Sequence, residues 1–198
     1  MKFEVIDLGC DIKLYQTKTE CKYKVLLASC FHGDERGALD IIFHYMLKNS
    51  EDDIQFSFIP IVNRYKTRMN EDNKNINCSF NHPLCKTTGE ETKQGQAIIS
   101  HIDLIKECAR DGYASLHENI AAKHNYSHIW MQGEPSKEMI EELKIVDYNL
   151  CYNTLEDYLW HEGVKITACI EFVEEGRIRF MNNFFKYLRG LHENHILH

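Results

Sequence analysis

Four residues of this chain have the types and spacing of a hydrolytic metal site: His32, Glu35, His117 and Glu171. His32 and Glu35 form a His-x-x-Glu pair in SCFHGDERGA, where a single turn can aim both side chains at one point. His117, in SLHE, completes a His2Glu set with one coordination position open to water, the pattern of catalytic rather than structural zinc. A metal so held brings the ionisation of its water close to neutral pH. Glu171 interrupts the apolar run ITACIEFV, and a carboxylate outside the coordination shell can take and deliver the proton. Each piece also has a plainer reading. His-x-x-Glu is a frequent chance pair, His117 could be a satisfied histidine at a strand edge, and Glu171 could be exposed where a strand leaves a sheet.

What must position these residues is a set of strand ends. KVLLASCF (24–31) is a bounded apolar run and reads as a buried strand. After it, Ala38, Leu39, Ile42, Phe43 and Met46 recur at helical spacing, so residues 32–35 fall on a strand-to-helix turn. IQFSFIPIV (54–62) predicts a second strand, with Pro60 near its end. The polar, turn-rich stretch 63–89 reads as one long loop, and loops of that length in a compact domain are usually functional or disordered. Residues 90–110 resume helical periodicity. YASLHE (113–118), SHIWMQ (127–132) and VKITACIEFV (164–173) predict strands, and 136–145, 153–161 and 179–191 predict helices. Strands alternating with helices imply a single α/β domain over residues 1–198, with a mixed central sheet and helices on both faces. Ligands of such sheets bind beyond the C-terminal ends of the strands, where these polar residues lie.

Composition excludes several classes. With 43% hydrophobic and 27% charged residues, the 198-residue chain is an ordinary globular sequence and not a disordered one. A net charge of −7 argues against a general nucleic-acid binder, which needs a basic surface. No run of 18 apolar residues exists, so no membrane span is expected. The start, MKFEVIDLGC, has no secretory apolar run, so a cytoplasmic protein is expected. The eight cysteines include no CxxC pair and read as reduced thiols, Cys30 and Cys169 as small buried hydrophobes. Cys78 and Cys85 are spaced to close a loop in an oxidising compartment. Cys78 lies near His82, but sequence proximity does not orient a base, and it reads as a loop thiol. His124 and His128 share i, i+4 spacing and read as residues of a solvated loop, while His192, His195 and His198 read as a fraying C-terminus. No Walker loop, GxGxxG or GxSxG occurs.

In order along the chain, these segments resemble the zinc carboxypeptidase superfamily, which includes carboxypeptidase A-like enzymes, murein peptide amidases and the aspartoacylase/succinylglutamate desuccinylase branch. SCFHGDERGA resembles its HxxE motif, PIVNRYKTRMN its P-x-x-N-P-x-x-x-x-R-x-N segment, NINCSF its D-x-N-R-x-F segment, SLHE its third-ligand strand end, and ITACIEF the strand of its catalytic glutamate. The resemblance implies that His32, Glu35 and His117 bind one Zn2+ and that Glu171 is general base and acid. It also implies that Arg68 polarises the scissile carbonyl, Asn77 holds a substrate carboxylate, and Asn70 shapes the same pocket. The family's mobile tyrosine corresponds to Tyr148 or Tyr152. The expected substrate is a small peptide or acylated amino acid.

Three departures bear on that expectation. Cys78 stands where the family has the arginine that pairs with a terminal carboxylate, and Arg64 is the nearby arginine that could compensate. Asn75 and Ser115 stand where the family has aspartates supporting the metal ligands. A carboxypeptidase or peptide amidase is the reading favoured by the R-x-N spacing. An N-acyl-amino-acid deacylase, or a non-catalytic relative that keeps the metal or pocket for binding, is the alternative that Cys78 supports.

Overall fold

The apolar runs become the middle of one eight-stranded sheet. The computed structural model describes residues 3–17, 21–48, 53–85, 88–118, 126–132, 135–148, 152–173 and 176–194. The elements are β1 (Phe3–Gly9), β2 (Ile12–Thr17), β3 (Tyr23–Ser29), α1 (Leu39–Lys48), β4 (Ile54–Ile59), a 3₁₀ turn at Ile76–Cys78, α2 (Lys93–Ile99), α3 (Ile102–Cys108), β5 (Gly112–Glu118), β6 (His128–Gln132), α4 (Lys137–Glu142), β7 (Ile145–Tyr148), α5 (Leu155–His161), β8 (Thr167–Phe172) and α6 (Arg177–Asn194). Strand order is β1-β2-β4-β3-β5-β8-β6-β7. The four central strands, β4, β3, β5 and β8, are mutually parallel. Parallel strands covered on both faces require continuous apolar sequence, which is why these four are the plainest in the chain. β2 against β4 and β6 against β8 are antiparallel, so the sheet is mixed.

Alternation along the strands divides the interior into two cores. On one face Val25, Leu27, Ala114, Leu116, Ala168 and Ile170 pack with Ile41, Ile42 and Tyr45 of α1 and Met181, Phe184 and Phe185 of α6. On the other, Leu26, Ala28 and Tyr113 pack with Ile98, Ile105, Leu155 and Leu159 of α2, α3 and α5. The same alternation puts Ser115 and His117 of β5 on the second face with Tyr113. β8 repeats it: Ala168, Ile170 and Phe172 face the first core, which leaves Thr167, Cys169 and Glu171 on the second.

The fold departs from the sequence reading in four places. The hairpin β1–β2 was not expected; it turns through Gly9, Cys10 and Asp11, all at positive φ. The helix expected over 90–110 is two helices, broken at Ser100 and His101. The helix expected over 136–145 stops at Glu142, and Ile145 instead opens β7. His128 is 3% exposed within β6 rather than in a solvated loop, whereas His124, His195 and His198 lie outside the described residues. Among the described residues, no helix is long and apolar enough to cross a membrane.

Candidate active site

The turn after β3 carries two of the four residues. Cys30 adopts a left-handed backbone conformation (φ 54°), redirecting the chain so that Phe31 and His32 turn inward. Gly33 then passes against the 63–70 loop, its N–H donating to the Thr67 carbonyl at 2.9 Å. A Cβ at Gly33 would stand 1.6 Å from the Tyr65 carbonyl oxygen, so only glycine permits this approach. Arg36 fixes the turn by donating to the carbonyls of Gly33 (2.8 Å), Asn63 (3.0 Å) and Tyr65 (3.2 Å). Asn63 organises the loop from within, donating to the Met69 carbonyl (3.1 Å) and accepting from the Tyr65 N–H (3.0 Å). Arg68 is thereby brought to the site.

His32, Glu35 and His117 are buried, and their candidate ligand atoms lie within 4.8 Å of one another. His32 Nδ1 and His117 Nδ1 each approach one Glu35 carboxylate oxygen at 2.7 Å. Arg68 Nη1 donates to Glu35 Oε1 at 3.2 Å. Burial alone would raise the Glu35 carboxyl, but the hydrogen bonds from His117 and His32 outweigh it and hold the pKa at about 2. His32 Nε2 lies 3.2 Å from Asn75 Oδ1, an oxygen that can only accept. Were a metal to take the place of the proton between His32 and Glu35, a His32 donating from Nε2 to Asn75 would present a bare Nδ1 to it. Asn75 thus supplies by its amide an acceptor at the position where the sequence resemblance expects an aspartate. Two inward imidazole nitrogens and one carboxylate fit a hydrolytic divalent metal, and His32, Glu35 and His117 are the residues that would hold it.

Glu171 is the register partner of His117 across β5 and β8. Its carboxyl is pushed up by burial and by the Glu35 charge, against the lowering pull of His117 and Arg68. It opens onto a cavity of about 390 Å³ lined also by His32, Arg68, Asn77 and Cys78. Trp130 and Tyr152 stand at its exposed rim, ring centroids 6.5 Å apart. Tyr148 ends β7, and its side chain is outside the described residues.

The remaining expected residues separate. Asn77 lines the cavity, and its buried Oδ1 has no partner among the described residues. Cys78 lines the cavity as a free thiol, raised by burial, so the bridge to Cys85 is not formed. Asn70 is buried behind the loop, donating to Gln94 Oε1 at 3.1 Å and accepting from the Lys74 N–H at 2.8 Å; it supports the loop and does not line the cavity. Arg64 is not a cavity residue. Its exposed guanidinium pairs with Asp11 of the unforeseen hairpin and with the Tyr65 hydroxyl, because the turn at Cys10 and Asp11 places a carboxylate beside it.

Sequence reasoning missed several residues around the site. Asp157 lies in the cavity wall, accepting from Gln132, from the Tyr152 N–H and from the Thr154 N–H, the last at 3.2 Å in a capping box that starts α5. The Thr-x-x-Asp spacing signals such a cap. Cys169 lines the cavity beside His117, whose Nε2 has no hydrogen-bond partner among the described residues. Behind it lies a buried polar group of Tyr113, Ser115, Thr167 and Glu156, whose side-chain oxygens likewise lack hydrogen-bond partners.

No protein-family model matches the chain, and no curated protein matches it. Solved structures do. A protein designated a metallopeptidase, from Shewanella baltica OS155, superposes with a TM-score of 0.71 at 20% identity, over 86% of this chain and 77% of that one. Bovine thrombin-activatable fibrinolysis inhibitor, solved with a tick carboxypeptidase inhibitor, gives 0.57 at 15% identity over 88% and 80%. The ectoine utilization protein EutE from Ruegeria pomeroyi gives 0.55 at 15% over 85% and 62%. The chain therefore has the carboxypeptidase-like α/β fold.

Proposed function

We propose that this chain is a zinc-dependent hydrolase that cleaves an amide bond in a small peptide or acyl-amino-acid substrate. The observation that carries this is the convergence of His32, Glu35 and His117 with Glu171 as the cross-strand neighbour of His117. A bound divalent metal supplies Lewis acidity toward water and the scissile carbonyl. Glu171, half-buried and held outside the ligand set, is placed to accept a proton at its carboxylate and return it to the leaving amine. Arg68 keeps a permanent positive charge beside the site and stabilises negative charge developing on the carbonyl oxygen. Asn77, with an amide group in the cavity wall, orients a carboxylate or amide of the substrate.

Arg68 is the one Arg or Lys among the described residues lining the cavity. With Cys78 in that wall, no second arginine is there to grip a terminal carboxylate. This favours, as a second reading, substrates held by an acyl group rather than by a free C-terminus. A catalyst differs from a binding relative in needing Glu171.

Glu171→Gln is therefore the test, assayed on dipeptides, murein-type peptides and N-acyl amino acids beside a metal analysis. The expected result is about one zinc per chain in both proteins, with turnover reduced about 10²–10⁴-fold in the variant. A native protein that takes up no zinc at neutral pH refutes the mechanism. Equal turnover in the two proteins removes Glu171 from it.

A further inference from the structure

The three segments that carry Glu35, His117 and Glu171 are tied together a few residues beyond the site, on the other side of β5. β3 pairs with β5 only as far as Ser29↔Leu116, so the turn holding His32 and Glu35 leaves the sheet's hydrogen-bond ladder before it reaches His117. Gly37, two residues past Glu35, then donates its N–H to Glu118 Oε2 at 2.7 Å. Glu118 directly follows His117 and, by strand alternation, points to the opposite face. Arg177, at the start of α6, closes the knot. Its Nη1 donates to the Gly37 carbonyl at 2.9 Å, its Nη2 lies 3.6 Å from Glu118 Oε1, and its Nε donates to the Val173 carbonyl at 3.2 Å, two residues past Glu171. One carboxylate and one guanidinium fork thus engage both backbone polar groups of Gly37 and both strand exits. The contact also requires glycine at residue 37, since a Cβ there would stand 1.9 Å from Glu118 Oε1 and 3.0 Å from Arg177 Nη1.

We propose that Glu118, Arg177 and Gly37 are positioning residues that set the spacing of the metal donors, so that the affinity of the site depends on a polar knot outside it. This rests on the metallohydrolase reading. None of the three is among the candidate ligands or the cavity lining, so the knot acts through backbone placement. Fixing His117 and the His-x-x-Glu turn to one another limits how far Glu35 and the two imidazoles can spread when empty. Groups hydrogen-bonded directly to metal ligands shift metal affinity by about 10–100-fold, and a knot one step further out is expected at the lower end of that range.

The test is zinc affinity by chelator competition, with thermal melting of the metal-free proteins alongside. Glu118→Ala is expected to weaken zinc binding at least about tenfold. Glu118→Gln keeps an oxygen for the Gly37 N–H and is expected to stay within a few-fold of wild type. A merely structural role would lower the metal-free melting temperature while leaving the affinity of the folded protein unchanged. Wild-type affinity in folded Glu118→Ala, or equal weakening by Ala and Gln, overturns the proposal. Should Glu118→Ala not fold, Arg177→Gln is read in its place, since it removes the fork and leaves Glu118 on Gly37; unchanged affinity there also overturns it. A wild-type protein that binds no zinc refutes the metallohydrolase reading itself, and the proposal with it.

Discussion

Glu156 is a carboxylate held against its own stability. It is 4% exposed, on the first turn of α5, and neither oxygen has a partner at good hydrogen-bond geometry among the described residues. Burial pushes its carboxyl above the ordinary value of 4.5, and the nearby Ser115 hydroxyl, the helix backbone, His117 and Thr154 only partly offset that. Below the unfolded-chain pKa the group is protonated in both states and costs nothing. As pH rises, the unfolded chain ionises first while the folded protein keeps its proton. Stability then falls by up to about 1.4 kcal/mol per pH unit until the folded-state pKa is passed. Glu156→Gln keeps the volume and removes the charge. It should gain about 1–3 kcal/mol at pH 8, because the neutral amide costs less to bury without partners than the carboxylate it replaces. For a domain of this size that is a rise in Tm of roughly 2–12 °C. The assay is thermal melting of metal-free wild type and variant from pH 4 to 8. The gain should shrink toward zero near pH 4. Equal melting at pH 8, or a difference that persists unchanged at pH 4, refutes the argument.

Two further outcomes follow from the cavity and the turn. Cys78→Arg adds a guanidinium to a wall whose one Arg or Lys among the described residues is Arg68, so kcat/KM for substrates with a free terminal carboxylate should rise about tenfold or more, the scale of one charge-assisted hydrogen bond, while neutral C-terminal amides gain little. Gly33→Ala forces a methyl group to within 1.6 Å of the Tyr65 carbonyl and 2.7 Å of that of Thr67; because both are backbone atoms, the cost should be about 3 kcal/mol or more, read as a lowered Tm together with weakened zinc uptake.

What could be read in the sequence follows from how each element is buried. β3, β4, β5 and β8 are covered on both faces, so their sequences are apolar runs and the polar residues ending them stand out. His32, Glu35, His117 and Glu171 were legible for that reason. The hairpin β1–β2 was not. Most of Phe3–Gly9 is not buried, and its turn uses left-handed Cys10 and Asp11 in place of a customary Asn-Gly. Missing the hairpin also misplaced Arg64, because Asp11, its partner, lies on that turn. Likewise β7 is four residues that continue the apolar spacing of α4, and the break is a left-handed Lys144 that no turn residue announces.

The contacts that complete the site are long-range, and spacing along the chain does not encode them. That His117 and Glu171 are cross-strand partners depends on the register of β5 against β8, which a one-residue slip would destroy by turning Glu171 to the opposite core. The register is set by the residues between them. Ala114, Leu116, Ala168 and Ile170 must face α1 and α6 if the first core is to close, and that requirement sends Ser115, His117, Cys169 and Glu171 to the other side. The hydrophobic core and the candidate chemistry are thus alternate positions of the same two strands, and the packing that stabilises the sheet is what brings Glu171 beside His117, a candidate metal ligand.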